Sequence, residues 1–185
     1  MFNYAGSISA VAHQIIKFYC PNKGLAFDAT LGNGYDTHFL ATSFKKVIAM
    51  DIQPSVVEKY SVMYPDDKNV ELICDSHSMV DRYITSPIDC ATYNLGYCPG
   101  GDKTITTLAS STLESIQKVL PLLSEGGVAT ITFYPGHYEG AKEKEFIMEY
   151  LRSLPKNQYG VMEHRYVNRT NNPPSLVIIE KSIII

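Results

Sequence analysis

The chain has 185 residues, of which 45% are hydrophobic and 19% charged, so we expect residues 1–185 to form one α/β domain. No apolar run reaches the roughly 18 residues of a membrane-spanning helix. The N-terminus also lacks a secretory signal, so the sequence predicts a cytoplasmic protein without a membrane partner. The formal net charge of −3 excludes a generally basic nucleic-acid binder, so any RNA contact must use a local patch.

The cysteines and histidines indicate neither a disulfide framework nor a metal site. The four cysteines form no C-x-x-C pair and are predicted to be buried thiols in a reducing compartment: Cys20, Cys74, Cys90 and Cys98. The histidines His13, His38, His77 and His164 show no metal-ligand spacing. The sequence therefore predicts no bound metal.

An amphipathic helix is predicted first, with Ser7 as its N-cap and an end at 21–24. Apolar runs then alternate with helix-like stretches. The predicted strands are 25–27, 47–50, 70–73, 88–93 and 128–133, and the predicted helices are 34–43, 54–63, 76–83, 105–122 and 140–154. This alternation predicts a parallel sheet with helices on both faces.

The end of the chain departs from that alternation. Two strand-like runs, 159–167 and 175–181, are joined by residues 168–174, a linker too short for a crossover helix. They should therefore be antiparallel neighbours. A seven-stranded, mostly parallel sheet with an antiparallel last strand is the class I methyltransferase layout, a Rossmann-like fold, whereas a plain dinucleotide-binding domain would continue βαβ.

A glycine turn follows the first predicted strand, in the segment DATLGNGYDT from Asp28 to Thr37. Glycines at positions 32 and 34 allow a ligand to approach the main chain. The third glycine of a dinucleotide-binding fingerprint is absent. Carboxylates disfavour a pyrophosphate and favour the ammonium and sulfonium of S-adenosylmethionine. The candidate cofactor residues of this turn are Asp28, Gly32, Asn33, Gly34, Asp36 and Thr37.

Polar residues also follow the second and third predicted strands. Asp51 lies 17 positions after Gly34, near the spacing of a ribose-binding acid, and Gln53 can flank the adenine. The alternative for Asp51 is a solvated strand end. The segment Asp75-Ser76-His77 can meet the adenine edge, and an ordinary helix cap is the alternative.

The segment NLGYCPGGDK, which begins at Asn94, follows the fourth predicted strand. Its Asn-x-x-Tyr spacing resembles the Asn/Asp-Pro-Pro-Tyr loop of amino-methylating methyltransferases, in which an amide oxygen orients the substrate nitrogen. The candidate substrate residues are Asn94, Tyr97, Gly100, Gly101 and Asp102. Cys98 as a covalent nucleophile is the less favoured alternative, because no base accompanies it.

The segment Tyr134-Pro135-Gly136-His137 follows the fifth predicted strand. His137 can accept the proton released on methylation, or it can simply cap the next helix. Tyr97, Tyr134 or Tyr138 can stack on a flipped base.

Together, the segments DATLGNGYDT, DIQ, NLGYCPGGDKTITT, YPGH and NRTNNPPSLVIIEK resemble the bacterial family labelled "putative rRNA methylases". That family includes a tRNA 5-aminomethyl-2-thiouridine methyltransferase. The resemblance implies S-adenosylmethionine as cofactor and methylation of a wobble uridine aminomethyl group in the tRNA anticodon stem-loop. It places His137 and the turn 168–174 at the rim of the site.

Basic residues that can supply phosphate contacts are Lys142, Lys144, Arg165 and Arg169, although solvated surfaces explain them equally well. The apolar ending 183–185 indicates a covered surface, for which a homodimer is one explanation.

The alternatives for function are methylation of ribosomal RNA or of a small amine, a dehydrogenase, and a nucleotide-binding module without catalysis.

Overall fold

The structure is a computed structural model, which describes residue 2 and residues 4–96, 107–135 and 138–183. Its helices are α1 (Ile8–Tyr19), α2 (Tyr35–Ala41), α3 (Pro54–Met63), α4 (Ala109–Leu122) and α5 (Tyr138–Ser153), with a 3₁₀ helix at His77–Arg82. Its strands are β1 (Leu25–Asp28), β2 (Lys46–Asp51), β3 (Val70–Cys74), β4 (Ile88–Leu95), β5 (Leu123–Phe133), β6 (Tyr159–His164) and β7 (Ser175–Lys181).

The strands form one seven-stranded sheet in the order β3-β2-β1-β4-β5-β7-β6. Neighbours among β1–β5 are parallel, whereas β7 pairs antiparallel with both β5 and β6. The prediction of a terminal antiparallel hairpin is confirmed. The order reverses between β1 and β4, so a crevice opens beyond their carboxyl ends.

Helices cover both faces of the sheet, as predicted. Ile16 of α1 and Leu40 of α2 pack on Val47 and Val128 on one face. Ile116 of α4 and Ile147 of α5 belong to the larger core on the other face, which is built around β4 and β5. The central strands β1, β2, β4 and β5 are therefore buried on both sides, whereas the edge strands β3 and β6 are partly exposed.

Several sequence-based boundaries were wrong. The helix predicted at 76–83 is a 3₁₀ helix, interrupted by a non-helical Met79. The predicted helix 34–43 begins after Gly34, whose left-handed backbone (φ 79°) cannot continue a helix, and it ends at Ala41. The predicted strand 159–167 ends at His164.

The cysteines were predicted to be buried thiols. Cys20 and Cys90 are buried, but Cys74 is exposed.

The described residues include neither a membrane-spanning helix nor a cluster of metal ligands. None of the described helices is both long and apolar enough to cross a bilayer. Within the same residues, no cluster of three or more His, Cys, Asp or Glu side chains could hold a metal ion.

Candidate active site

The turn between β1 and α2 is shaped by two glycines in the left-handed region, Gly32 (φ 48°) and Gly34 (φ 79°). The Gly34 amide closes the turn by donating to the Leu31 carbonyl at 2.7 Å. A Cβ atom on Gly34 would lie 2.4 Å from the Tyr60 ring. Both the backbone angle and the packing of α3 therefore require glycine at this position.

Asp28 lies beneath this turn and is fully buried. Its carboxylate accepts hydrogen bonds from the Thr30 amide at 3.0 Å and from the Thr37 hydroxyl at 2.6 Å. Burial, assisted by the nearby charge of Asp36, raises the pKa of Asp28 to about 7. Thr37 is also fully buried, so these two predicted cofactor residues hold the turn together from below.

Asp51, at the end of β2, bonds to the turn from the side. One carboxylate oxygen accepts from the Gly32 amide at 3.0 Å and the other from the Gln53 amide at 3.0 Å. A carboxylate has about four acceptor sites, so two remain for a pair of vicinal hydroxyls. The geometry thus supports the ribose-binding role predicted for Asp51.

The residues after β3 lie next to the same edge of the sheet. The Asp75 carboxylate accepts hydrogen bonds from the Tyr83 hydroxyl at 2.8 Å and the Ser76 amide at 2.7 Å. The Tyr83 hydrogen bond is the main cause of the lowered pKa of Asp75. His77 is buried, and its Nδ1 lies 3.2 Å from the Ala29 carbonyl oxygen beside the turn. Ser76 caps the 3₁₀ helix, as the alternative interpretation predicted.

Burial lowers the pKa of His77, which favours the neutral ring. Since a carbonyl accepts only, Nδ1 must carry the proton and Nε2 is left as an acceptor. Nε2 is buried and has no hydrogen-bond partner among the described groups. An unpaired buried acceptor beside the turn is consistent with a ligand donor.

Asn94, near the end of β4, belongs to a network that sequence reasoning missed. Its side-chain amide donates to one oxygen of Asp36, and His13 of α1 donates from Nε2 to the other oxygen. The His13 ring stacks on Phe39, with centroids 3.9 Å apart. The Asn94 backbone amide donates to the Thr30 hydroxyl at 2.8 Å, which fixes the end of β4 against the turn.

A small cavity lies beside this network, between α1 and the ends of β4 and β5. Polar and apolar side chains line it together, among them His13, Asp36 and Asn94 with Ala12 and Ile16. Tyr134, just beyond β5, packs near the start of the substrate segment, since a Cβ on Gly96 would lie 3.8 Å from Tyr134 Cβ. Burial raises the pKa of Tyr134, so its hydroxyl stays protonated near neutral pH.

The two described residues that flank positions 97–106 are joined to each other. The Gly96 amide donates to the Thr107 hydroxyl at 2.9 Å, and the Thr107 amide donates to the Gly96 carbonyl at 3.2 Å. Glu143 of α5 is 4% exposed and accepts from the hydroxyls of Thr107 (2.9 Å) and Thr112 (3.1 Å). Burial raises the pKa of this carboxyl. We call these contacts the Glu143 clamp.

Some of the remaining predicted residues lie outside the described residues, and the others lie at the surface. The first group comprises Tyr97, Cys98, Gly100, Gly101, Asp102 and His137. Asn33 accepts a hydrogen bond from Lys59 at 3.1 Å. Arg165 is exposed, and Arg169 donates to the Ala5 carbonyl at 2.7 Å with its guanidinium over the Tyr166 ring.

The strand ends therefore offer carboxylates, a left-handed glycine turn and an unpaired imidazole nitrogen. This set suits a ligand that carries hydroxyls, an amine and positive charge, and it disfavours a pyrophosphate. The predicted residues of β1, β2 and β3 converge here with Asn94. S-adenosylmethionine fits these groups.

Comparisons with known proteins agree with this geometry. The family described as "Putative rRNA methylase" matches residues 47–180. A Streptococcus mutans protein described as "a putative methyltransferase", solved in complex with S-adenosylhomocysteine, is 36% identical, with a TM-score of 0.89 over 98% of this chain and 99% of that chain. A Clostridium thermocellum protein described as "putative rRNA-methylase" is 34% identical, with a TM-score of 0.91 over 95% of this chain and 97% of that chain.

A curated relative is more distant. The chloroplastic tRNA (mnm5s2U34)-methyltransferase of Arabidopsis thaliana is 28% identical in an alignment 179 residues long that covers 88% of this chain. The chain spans 65% of the length of that relative. These likenesses favour a methyltransferase over the dehydrogenase and the non-catalytic module. Because the family model matches residues 47–180 and two solved relatives at 34% and 36% identity share the fold over nearly the whole chain, the chain belongs to the family described as "Putative rRNA methylase" and is an S-adenosylmethionine-dependent methyltransferase.

Proposed function

We propose that the chain methylates the aminomethyl nitrogen of 5-aminomethyl-(2-thio)uridine at the tRNA wobble position, giving the 5-methylaminomethyl nucleoside. The observation that carries the proposal is the placement of Asn94 beside the cofactor turn with its amide nitrogen bonded to Asp36. This leaves an amide oxygen to receive an N–H group. The similarity to the Arabidopsis wobble-uridine methyltransferase supports the same substrate class.

We assign the cofactor as follows, each role being part of the proposal. Asp51 would hold the ribose hydroxyls, and Gln53, Asp75, Ser76 and His77 would hold the adenine. The methionine portion would be held by Gly32, Asn33, Gly34, Asp36 and Asn94, while buried Asp28 and Thr37 shape the turn. When bound, S-adenosylmethionine supplies an electrophilic methyl group on a sulfonium.

The protein then has to orient a neutral amine and take up a proton. The Asn94 oxygen accepts an N–H hydrogen bond, which turns the nitrogen lone pair towards the methyl group. His137 receives the proton that the nitrogen releases, since an imidazole titrates near neutral pH. Tyr97 and Tyr134 stack on the uracil ring, and Gly100, Gly101 and Asp102 complete the substrate contacts.

The RNA partner in this proposal is the tRNA anticodon stem-loop. Exposed Arg165 can contact phosphates directly. Arg169 uses one N–H on Ala5, and guanidinium has five N–H donors, so others remain for a phosphate. Lys144 is less suited, because it already bonds to Glu163 at 2.6 Å and to Ser175 at 2.7 Å. The cytoplasmic location and the homodimer stay predictions.

The test uses tRNA that carries 5-aminomethyl-2-thiouridine, purified from cells lacking the corresponding methyltransferase. Purified protein and deuterium-labelled S-adenosylmethionine are added, and nucleosides are analysed by mass spectrometry. We expect labelled 5-methylaminomethyl-2-thiouridine from the wild type and, at saturating S-adenosylmethionine, at least a tenfold slower reaction from Asn94→Ala. Label found only in ribosomal RNA or in a small amine, added in parallel reactions, would contradict the tRNA assignment.

A further inference from the structure

Three elements meet at the Asp36 carboxylate: α1 through His13, α2 through Asp36 itself, and β4 through Asn94. Resting on the proposed function, we propose that His13 and Asp36 are a positioning pair that fixes the Asn94 amide with its oxygen towards the substrate nitrogen. Neither residue needs to touch the RNA for this role.

The orientation of the Asn94 amide follows from the chemistry of its partner. A carboxylate only accepts hydrogen bonds, so the group of Asn94 that faces Asp36 must be the NH₂. The amide oxygen then points away from Asp36. A free amide can flip by 180° and present either a donor or an acceptor, whereas this one presents an acceptor. An amine nucleophile requires that acceptor.

His13 prevents the carboxylate from turning away. With donors on both of its oxygens, Asp36 cannot rotate without breaking a hydrogen bond. The His13 ring is itself held, because it stacks almost parallel on Phe39, with an interplanar angle of 6°. The pair is partly buried, at 25% exposure for His13 and 18% for Asp36, so water competes only in part.

Two substitutions of His13 distinguish the contribution of its hydrogen bond to Asp36 from that of its ring stacking on Phe39. His13→Phe keeps a ring to stack on Phe39 and loses the donor, whereas His13→Gln loses the ring and keeps an N–H that reaches Asp36. We expect His13→Phe to lower kcat about 10- to 100-fold through loss of orientation. The KM for tRNA and the affinity for S-adenosylhomocysteine should change by less than about threefold, and His13→Gln should recover most of kcat.

His38→Phe is the matched control. His38 also pairs with an acid, Asp67, at 2.8 Å and also stacks on an aromatic ring, Tyr64. Within the described residues, however, Asp67 does not bond to Asn94 as Asp36 does. We expect its kcat to stay within about twofold of the wild type. Equal losses in His13→Phe and His13→Gln, or a fall in cofactor affinity that matches the fall in kcat, would overturn the positioning role.

A readout without RNA distinguishes this inference from the proposed function. The side-chain amide signal of Asn94 in a ¹⁵N–¹H NMR spectrum, identified by its loss in Asn94→Ala, reports the Asp36 hydrogen bond. We expect the signal to shift in His13→Phe and to return towards the wild-type position in His13→Gln. If the wild type fails to methylate the tRNA, the proposed function fails. An unshifted signal in His13→Phe rejects the pair independently of that result.

Discussion

The Thr37 hydroxyl donates a 2.6 Å hydrogen bond to the Asp28 carboxylate, which joins the first turn of α2 to the last residue of β1. Both side chains are fully buried, so water cannot replace this bond. The glycine turn lies between them, and its shape therefore depends on a contact underneath the ligand surface. In the proposed site, Thr37 and Asp28 would therefore affect the cofactor only through the shape of the turn.

The first prediction concerns Thr37→Val, which preserves the branched shape and removes the hydroxyl. We expect the free energy of unfolding to fall by about 1–3 kcal/mol, because a buried acceptor loses its partner. Urea denaturation measures this change. Thr42→Val is the control, since that exposed hydroxyl donates to the Phe39 carbonyl at the end of the same helix. Equal losses in the two variants would contradict the importance of burial.

The second prediction concerns the pH dependence of stability. In the folded state Asp28 keeps its proton up to about pH 7, because burial raises its pKa from 3.8. The folded chain therefore binds more protons than the unfolded chain between these two pH values, and the Asp28 contribution to stability falls as pH rises through this interval. Relative to Asp28→Asn, the wild type should lose stability from pH 4 to pH 7, by at most about 1.4 kcal/mol per pH unit.

Urea denaturation of the wild type and of Asp28→Asn at several pH values tests whether the Asp28 contribution to stability falls as pH rises. The difference between them should level off above about pH 8, where both states are ionised. As a measurement that does not require the variant to fold, the carboxyl carbon signal of Asp28 should titrate near pH 7 in NMR spectra. Added S-adenosylmethionine should move that titration to lower pH, since positive charge favours the ionised form. Titration near pH 4 in the free protein would reject the burial argument.

The sheet and the glycine turn could be predicted because they depend on local signals. Alternating apolar runs specify buried parallel strands, and the ten residues between β6 and β7 are, like the seven expected from the sequence, too few for a crossover helix and so favour an antiparallel return. The 3₁₀ helix His77–Arg82 was mistaken for an α-helix, because a six-residue segment is too short for its period to distinguish the two.

The contacts of His13 and Glu143 could not be predicted in the same way. His13 lies 23 positions from Asp36, and Glu143 lies 36 positions from Thr107. Each is a polar residue on an amphipathic helix, and in the sequence it looks like part of a solvated face. Only the packing of α1 and α5 against the sheet brings these side chains to the ends of β4. A buried acid on a helix has no periodic signature of its own.

The third prediction concerns Gly34→Ala. The added methyl group would lie 2.4 Å from the Tyr60 ring, in a backbone conformation that disfavours alanine. We expect about 1–3 kcal/mol of lost stability and at least tenfold weaker S-adenosylhomocysteine binding by calorimetry. Gly160→Ala is the control, because a Cβ there meets nothing within 4 Å. Unchanged cofactor affinity in Gly34→Ala would remove the turn from the binding site.

The fourth prediction concerns Asp51→Asn. One side of an asparagine amide is a donor, so it cannot accept from both the Gly32 and the Gln53 amides as Asp51 does. We expect S-adenosylhomocysteine to bind about 10- to 100-fold more weakly, a loss of about 1.4–2.8 kcal/mol. Glu58→Gln, on the exposed side of α3, should bind normally. Equal affinity in the two variants would contradict the ribose-binding role.

The fifth prediction concerns the Glu143 clamp, which connects α5 to the residues on either side of 97–106. Glu143→Gln keeps one acceptor oxygen, and a threonine hydroxyl can rotate to accept from its NH₂, so the loss of stability should be below about 1 kcal/mol. Glu143→Met leaves the hydroxyls of Thr107 and Thr112 without the acceptor they now use, and about 2 kcal/mol or more should be lost.

Urea denaturation of both variants measures this difference in stability. The methylation assay on hypomodified tRNA shows whether the loss of the Glu143 contacts also lowers catalytic activity. Because Gly96 follows the strand that carries Asn94, Glu143→Met should also lower kcat, while S-adenosylhomocysteine affinity stays close to the wild-type value. Glu149→Met replaces an exposed acid on the same helix and controls for the lost charge. If Glu149→Met and Glu143→Met were equally stable and equally active, the contacts of Glu143 with Thr107 and Thr112 would contribute nothing beyond ordinary packing of α5.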